Sequence, residues 1–471
     1  MIFKKHLSTK MKKFILLLTI LSAFQLSKAQ TVAPFKSGDR IAFVGNSITD
    51  GGHYHSYIWL YYMTHFPLTR ITCYNAGIGG DAVNQIYDRF DDDVFSKNPN
   101  VLTLTWGMND SGYFEWYRKD ASDFMKNKID GSYKYYSMLE QKLKSRSDIR
   151  KIIILGSPYD ETSKFTTKNI YPGKAQALSG IIDFQEAAAK KNGWGIVDFH
   201  HPMLTINRQQ QAKDSVFSLT PNDRIHPDND GHMVMAYLFL KAQGLANHPV
   251  ADVDINAKNQ KVSKSVNCKI TKVAGNADSL SFYYLAQSLP YPLDTVPRGW
   301  GNHKSQSEAL KLIPWTEEFN KELFKVKGLK DGNYKIMIDG ELIGHRTAKE
   351  LEDGVNLAEI KSTPQYQQAV QIRELNEERW DMERRLRMYT WMEFDFLKGK
   401  GMLYKDGVAA MDTVNKYAQK DPFVNGNRDN FSRARFKSLR DAWQKEMNVL
   451  IDEMYAINKP QNRLFTIVRE N

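Results

Sequence analysis

The sequence predicts an α/β fold built on a parallel sheet, and two observations carry the prediction. Five short apolar runs recur between residue 41 and about residue 247: Ile41–Val44, Ile71–Tyr74, Val101–Trp106, Ile152–Leu155 and Gly195–Phe199. Stretches with helical spacing, such as Tyr133–Lys144 and Ala175–Lys191, lie between them. Alternation of this kind means βαβ units and a sheet covered by helices on both faces. Five strands suggest a doubly wound sheet with a flavodoxin-like strand order.

The first run sits in the stretch that organises the rest, Ile41–Gly52, which reads IAFVGNSITDGG. A buried strand ends abruptly at Gly45, and Ser47 follows at the start of a helix. In open α/β sheets that edge is where ligands bind. A serine there is either an N-cap or a nucleophile, if a base reaches it. The second strand runs into Tyr74-Asn75-Ala76-Gly77-Ile78-Gly79-Gly80-Asp81, where glycines can present bare N–H groups. The third ends in Trp106-Gly107-Met108-Asn109-Asp110, which aims an asparagine amide at the same rim. Further on comes Asn222-Asp223-Arg224-Ile225-His226-Pro227. Asp and His three apart can share one face of a helical turn, the carboxylate orienting an imidazole that takes a serine proton.

GNSIT, NAGIGGD, GMND and DRIHP, in that order, resemble the four sequence blocks of the SGNH (GDSL-type) hydrolase family over roughly residues 38–245. The resemblance implies a serine esterase on a flavodoxin-like five-stranded parallel sheet. It implies Ser47 as nucleophile, His226 as base and Asp223 as its orienting partner. It also implies an oxyanion hole from the Ser47 N–H, Gly80 and Asn109. Asn46 stands where the family's name motif has Asp. No G-x-S-x-G elbow surrounds Ser47, so the α/β-hydrolase fold is not the analogue.

Aromatic residues follow the third block. Tyr113, Trp116 and Tyr117 are candidate substrate-binding residues that stack on sugar rings or cover an acyl chain, or else close the loop on its own scaffold. His53, His55, His200 and His201 lack the Cys pairs or H-E-x-x-H spacing of a zinc site, so no metal and no cofactor are expected. Ser111 is a rival serine without a donor set around it.

The chain's 471 residues imply more than one domain. Residues 1–29 read as a secretory signal peptide, with Met11 as a plausible start. Lys12 and Lys13 precede the apolar run Phe14–Phe24, which is too short to span a bilayer. Ser27-Lys28-Ala29 sets a cut after Ala29, and no cysteine stands there for a lipid anchor. The expected location is therefore secreted or periplasmic, with no stable membrane anchor. The formal charge is +11, and residues 1–29 carry six lysines and no acids, which leaves about +5 and argues against a nucleic-acid partner. Cys73 and Cys268 allow one disulfide or two thiols.

Residues 30–247 are thus assigned to the hydrolase domain, 248–362 to a β-rich extension and 363–471 to a helical region. In the extension Val262–Val273, Ser279–Leu285, Leu323–Val326 and Tyr334–Ile338 read as strands. In the last region Gln367–Leu397 and Arg433–Ile457 carry apolar residues at helical spacing. The expectation is a secreted serine esterase acting on O-acetyl groups of a carbohydrate. A lipase, lysophospholipase or thioesterase of the same family, or a non-catalytic glycan-binding protein, are the alternatives.

Overall fold

The computed structural model describes residues 32–118, 121–299 and 301–470. The expected signal peptide lies outside these residues. The first sheet contains β1 (Arg40–Gly45), β2 (Thr72–Gly77), β3 (Val101–Leu104), β4 (Arg150–Leu155) and β5 (Gly195–Asp198), in the order β2-β1-β3-β4-β5. All four pairings are parallel. This is the expected flavodoxin-like order. From Ile41 to Gly45 β1 is buried throughout, as a strand covered on both faces must be. Helices α1 (Ser47–Asp50), α2 (Tyr54–His65), α3 (Val83–Arg89), α4 (Ala121–Lys144), α5 (Lys174–Asn192), α6 (His200–Gln211) and α7 (Asn229–Ala242) connect and cover the strands.

The remaining strands are β6 (Ala251–Asn256), β7 (Lys261–Val266), β8 (Cys268–Gly275), β9 (Ser279–Ala286), β10 (Glu322–Lys327), β11 (Asn333–Ile338), β12 (Glu341–Thr347), β13 (Val355–Asn356) and β14 (Arg463–Arg469). They form a four-stranded sheet, β13-β10-β6-β7, and a five-stranded sheet, β12-β11-β14-β9-β8. One apolar core joins the two, with Val253, Ile255, Phe324 and Val326 facing Phe282, Tyr284, Ile336 and Phe465. The single strand expected over Val262–Val273 is two strands in different sheets. The chain breaks at Asn267, which adopts a left-handed φ of 54°. Residues between the strands depart from the 248–362 grouping: Leu289, Tyr291, Ile313, Trp315 and Phe319 pack into the core of the first sheet.

The all-helical reading of 363–471 is corrected at its end. After α8 (Pro364–Trp391), α9 (Val408–Ala418), α10 (Pro422–Ala434) and α11 (Lys437–Ile457), β14 returns to the sandwich and pairs with β9 and β11. Its apolar residues Leu464, Phe465, Ile467 and Val468 lie among Arg463, Arg469 and Glu470, too short a run to separate from a frayed tail by pattern alone. Helices α8 and α11 also pack on the first sheet. Tyr455 Oη accepts from Trp59 Nε1 and Ile71 N, at 3.1 and 3.0 Å. Cys73 and Cys268 are free thiols. Among the described residues no helix is long and apolar enough to cross a membrane.

Phe465 is fully buried and stacks on Phe282 at 5.2 Å. Phe465→Ala is expected to destabilise the protein by about 3–5 kcal/mol, read as a lowered urea midpoint with unchanged m-value.

Candidate active site

The end of β1 is built to turn sharply. A Cβ on Gly45 would lie 2.3 Å from Thr49 Oγ1, so only glycine fits there. Asn46 then caps α1, its Oδ1 accepting from Ile48 N at 3.0 Å. An aspartate would accept the same bond, so Asn46 keeps the turn that the family motif makes. Ser47, the first residue of α1, is half-buried.

His226 reaches Ser47 from the other end of the domain. Its Nε2 lies 2.7 Å from Ser47 Oγ, and its Nδ1 lies 2.5 Å from Asp223 Oδ2. The segment is a bend rather than the expected helical turn. Arg224 has a left-handed φ of 73°, and Asp223 Oδ1 accepts from Ile225 N and His226 N at 2.9 and 2.8 Å. Arg224 is fully buried and holds this conformation by donating to the carbonyls of Asp160, Thr166 and Lys168. Burial pushes the Asp223 carboxyl up, but the His226 hydrogen bond and charge, with the two backbone N–H groups, hold it below the ordinary range. The carboxylate therefore faces the imidazole charged, which fixes the tautomer with Nε2 free to accept the serine proton.

Backbone accounting along 77–83 locates the exposed donor. Gly77 N donates to Asn75 Oδ1, Ile78 N to Gly45 O, Gly79 N to Asp50 Oδ2 and Asp81 N to Ile78 O. Ala82 N donates to Gln85 Oε1 and Val83 N to Asp110 Oδ1. Among the described residues, the Gly80 N–H has no partner. Gly80 has φ of 95° and open space where a Cβ would stand, while a Cβ on Gly79 would lie 4.0 Å from Ser47 Cβ. Gly79 thus borders Ser47 with its own N–H engaged, and Gly80 is left as the donor.

Asn109 Nδ2 donates to Asp81 O at 2.8 Å, and its Oδ1 accepts from Tyr113 Oη at 2.5 Å. These bonds orient the amide and leave one Nδ2 hydrogen. Tyr113 is therefore an anchor for Asn109, and its ring also covers the Lys174 ammonium at 3.8 Å. Lys174 donates to Met108 O, Ser111 Oγ and Gly112 O, which ties down the loop after Asn109 and occupies the rival Ser111. Burial pushes the Lys174 ammonium down to about 7, against the pull of Asp110 and Glu115. Trp116 is buried and donates to Ser111 O, so it closes the loop and offers no surface to a substrate. Tyr117 and Phe114 are exposed and pack around Tyr171, each 5.7 Å between ring centroids.

A hydroxyl, an imidazole and a carboxylate in series, beside unpaired N–H groups, can perform acyl transfer. The chain is similar to known proteins. The GDSL-like Lipase/Acylhydrolase family matches residues 43–234, and the Diltiazem deacetylase C-terminal helical domain matches residues 370–459. The solved structure of a gut microbial diltiazem-metabolizing enzyme is 48% identical, covers 94% of this chain and 100% of its own, and superposes with a TM-score of 0.91. The chain belongs to the GDSL-type (SGNH) acylhydrolase family. It is an ester-hydrolysing enzyme. An acetylxylan esterase of Geobacillus stearothermophilus is 25% identical over 227 residues, 44% of this chain and 95% of its own.

In this GDSL-type esterase the rim is held from behind by buried charge. Asp93 accepts from Arg89 Nη1 at 2.6 Å, from Lys97 Nζ at 2.7 Å and from Arg387 Nη1 and Nη2, both at 2.7 Å. Burial pushes the Asp93 carboxyl up, and the three cations outweigh it and hold the carboxyl well below its ordinary range. Arg89 also donates to Asp81 Oδ2 and to Gly45 O, the last residue of β1. Arg387 also donates to Gly77 O, the last residue of β2. Arg89 and Arg387 escaped the sequence reading because a charged residue on an amphipathic helix ordinarily faces solvent. Arg224 stands inside DRIHP, yet its left-handed backbone has no sequence signal. Of the histidines considered as metal ligands, His53 pairs with Glu377 at 3.1 Å, and His55 meets Thr49 O at 3.1 Å.

Arg89→Met leaves Asp81 and Asp93 short of a partner in the interior. The expected cost is about 3–5 kcal/mol in urea unfolding, with a larger loss than Arg146→Met, whose Asp148 ion pair is exposed.

Proposed function

We propose that this esterase removes O-acetyl groups from a carbohydrate through Ser47, His226 and Asp223, and that it acts after export and cleavage behind Ala29. The observation that carries the reading is the 2.7 Å contact between Ser47 Oγ and His226 Nε2, backed by Asp223. Ser47 Oγ attacks the ester carbonyl while His226 takes its proton. The carbonyl oxygen becomes an oxyanion that accepts from the N–H groups of Ser47 and Gly80 and from Asn109 Nδ2. His226 then protonates the departing alcohol oxygen, leaving an acetyl group on Ser47. Water, deprotonated by His226, attacks that acyl group and releases acetate and the free serine.

The acetyl half of the proposal is supported by the two names among the relatives, a deacetylase domain and an acetylxylan esterase. The carbohydrate half is supported by the exposed rings of Phe114 and Tyr117, both packed on the buried Tyr171, since flat rings stack on sugar faces. A second reading, an acetyl ester on an aromatic non-carbohydrate scaffold, is favoured by the likeness to the diltiazem-metabolizing enzyme. The same rings stack on such a scaffold.

Ser47→Ala is expected to lower kcat on a small acetyl ester by about 10⁴-fold or more, and Asn109→Ala by about 10²–10³-fold. Unchanged hydrolysis by Ser47→Ala overturns the assignment. An acyl-chain series from acetyl to palmitoyl should peak at acetyl, and preference for long chains would shift the reading to a lipase. Acetylated xylo-oligosaccharides run against diltiazem decide between the two alcohol halves. Amino-terminal sequencing of the exported protein should begin at Gln30.

A further inference from the structure

Helix α8 lies along the open edge of β2 and continues past it to the oxyanion segment. Four side chains at four-residue spacing, three on α8 and one in the turn just beyond it, meet β2 and the segment that follows it in order. Glu383 Oε1 accepts from Asn75 N at 2.8 Å, and Arg387 Nε donates to Gly77 O at 3.0 Å. Trp391 Nε1 donates to Gly79 O at 3.0 Å. Asp395 Oδ1 accepts from Gln85 Nε2 at 2.8 Å, and Gln85 Oε1 in turn accepts from Ala82 N at 3.0 Å. The match is metric: four helical residues advance about 6 Å, and two strand residues about 6.6 Å. At Trp391 the helix widens into one π-type turn, Met392–Leu397, which re-aims the residues beyond it.

We propose that Trp391 is a positioning residue for the Gly80 N–H, so that the C-terminal helical region completes the oxyanion hole of the catalytic domain. The inference rests on the reading of Gly80 as an oxyanion donor. The Gly79–Gly80 peptide is planar and trans, so its C=O and N–H point in opposite directions. Trp391 holds the carbonyl from behind, and the N–H is thereby aimed forward toward Ser47. Two adjacent glycines leave this peptide free to rotate in the absence of an anchor. Donation to the carbonyl also polarises the peptide and strengthens its N–H as a donor. The indole is itself braced by Phe423 of α10, stacked at 6.4 Å.

The test removes the indole N–H and keeps the ring. Trp391→Phe, and replacement of Trp391 by 3-benzothienylalanine, which has the same shape and no donor, are each expected to lower kcat on a small acetyl ester about 10-fold. KM and the melting temperature should stay unchanged. Inhibition by phenylboronic acid, whose tetrahedral serine adduct places an oxygen in the oxyanion position, should weaken by the same factor. Wild-type kcat in the benzothienyl variant overturns the proposal, as does a rise in KM at constant kcat, which would make Trp391 a wall of the substrate pocket. If Trp391→Phe fails to fold, the benzothienyl variant decides alone. Asn109→Ala measured alongside separates the two failures: if it too keeps full activity, the reading of the oxyanion hole itself is wrong.

Discussion

A single buried carboxylate, Asp93, takes hydrogen bonds from three cations, and the catalytic rim depends on it. Arg89 runs from Asp93 to the end of β1, and Arg387 runs from Asp93 to the end of β2. Those two strand ends lead directly into Ser47 and into the Gly79–Gly80 peptide. Charges this deep are tolerable only when fully paired, so each member fixes the others. The knot sets the separation of two loops that must meet at one reacting carbon. It also ties the catalytic domain to the C-terminal helix, because Arg387 belongs to the second and Asp93, in the turn after α3, to the first.

The edge of the sheet is handled in the same way. A parallel sheet ends in strands whose outer N–H and C=O groups lack partners, and such an edge invites pairing with another chain. In this protein β2 is one of the two edges, and α8 meets it with side chains instead of a sixth strand. The cover reaches past the strand to Gly79, so a solution to an edge problem also braces the turn that carries the proposed oxyanion donor. Triad geometry and loop stiffness thus have separate sources. The triad comes from the end of β1 and the bend before α7, and part of the stiffness comes from residues 300 or more positions away in the chain.

Much of the catalytic half was legible in the sequence because its signals are local. Apolar runs of four to six residues mark buried parallel strands wherever they fall, and all five were found with ends within about three residues. The blocks around Ser47, Gly80, Asn109 and His226 each combine a strand end with a small or polar residue, a pattern visible without coordinates. Two features could not be read from the sequence for physical reasons. Trp116 carries an aromatic ring into the loop's own core, which a sequence cannot distinguish from a ring offered to ligand. The β7–β8 run continues its apolar pattern through Asn267, where a left-handed turn sends the chain into another sheet.

The places of the five strands along the chain, the four blocks and the candidate serine, histidine and aspartate could be read from the sequence alone, because each depends on residue type within a few positions. Which glycine keeps an unpaired N–H, which carboxylate collects three cations, and why Trp391 lies behind the oxyanion peptide were decided only by the tertiary structure. Those outcomes depend on which donors and acceptors remain after every neighbour has been paired. That remainder is a property of the assembled interior, and no single stretch of chain contains it.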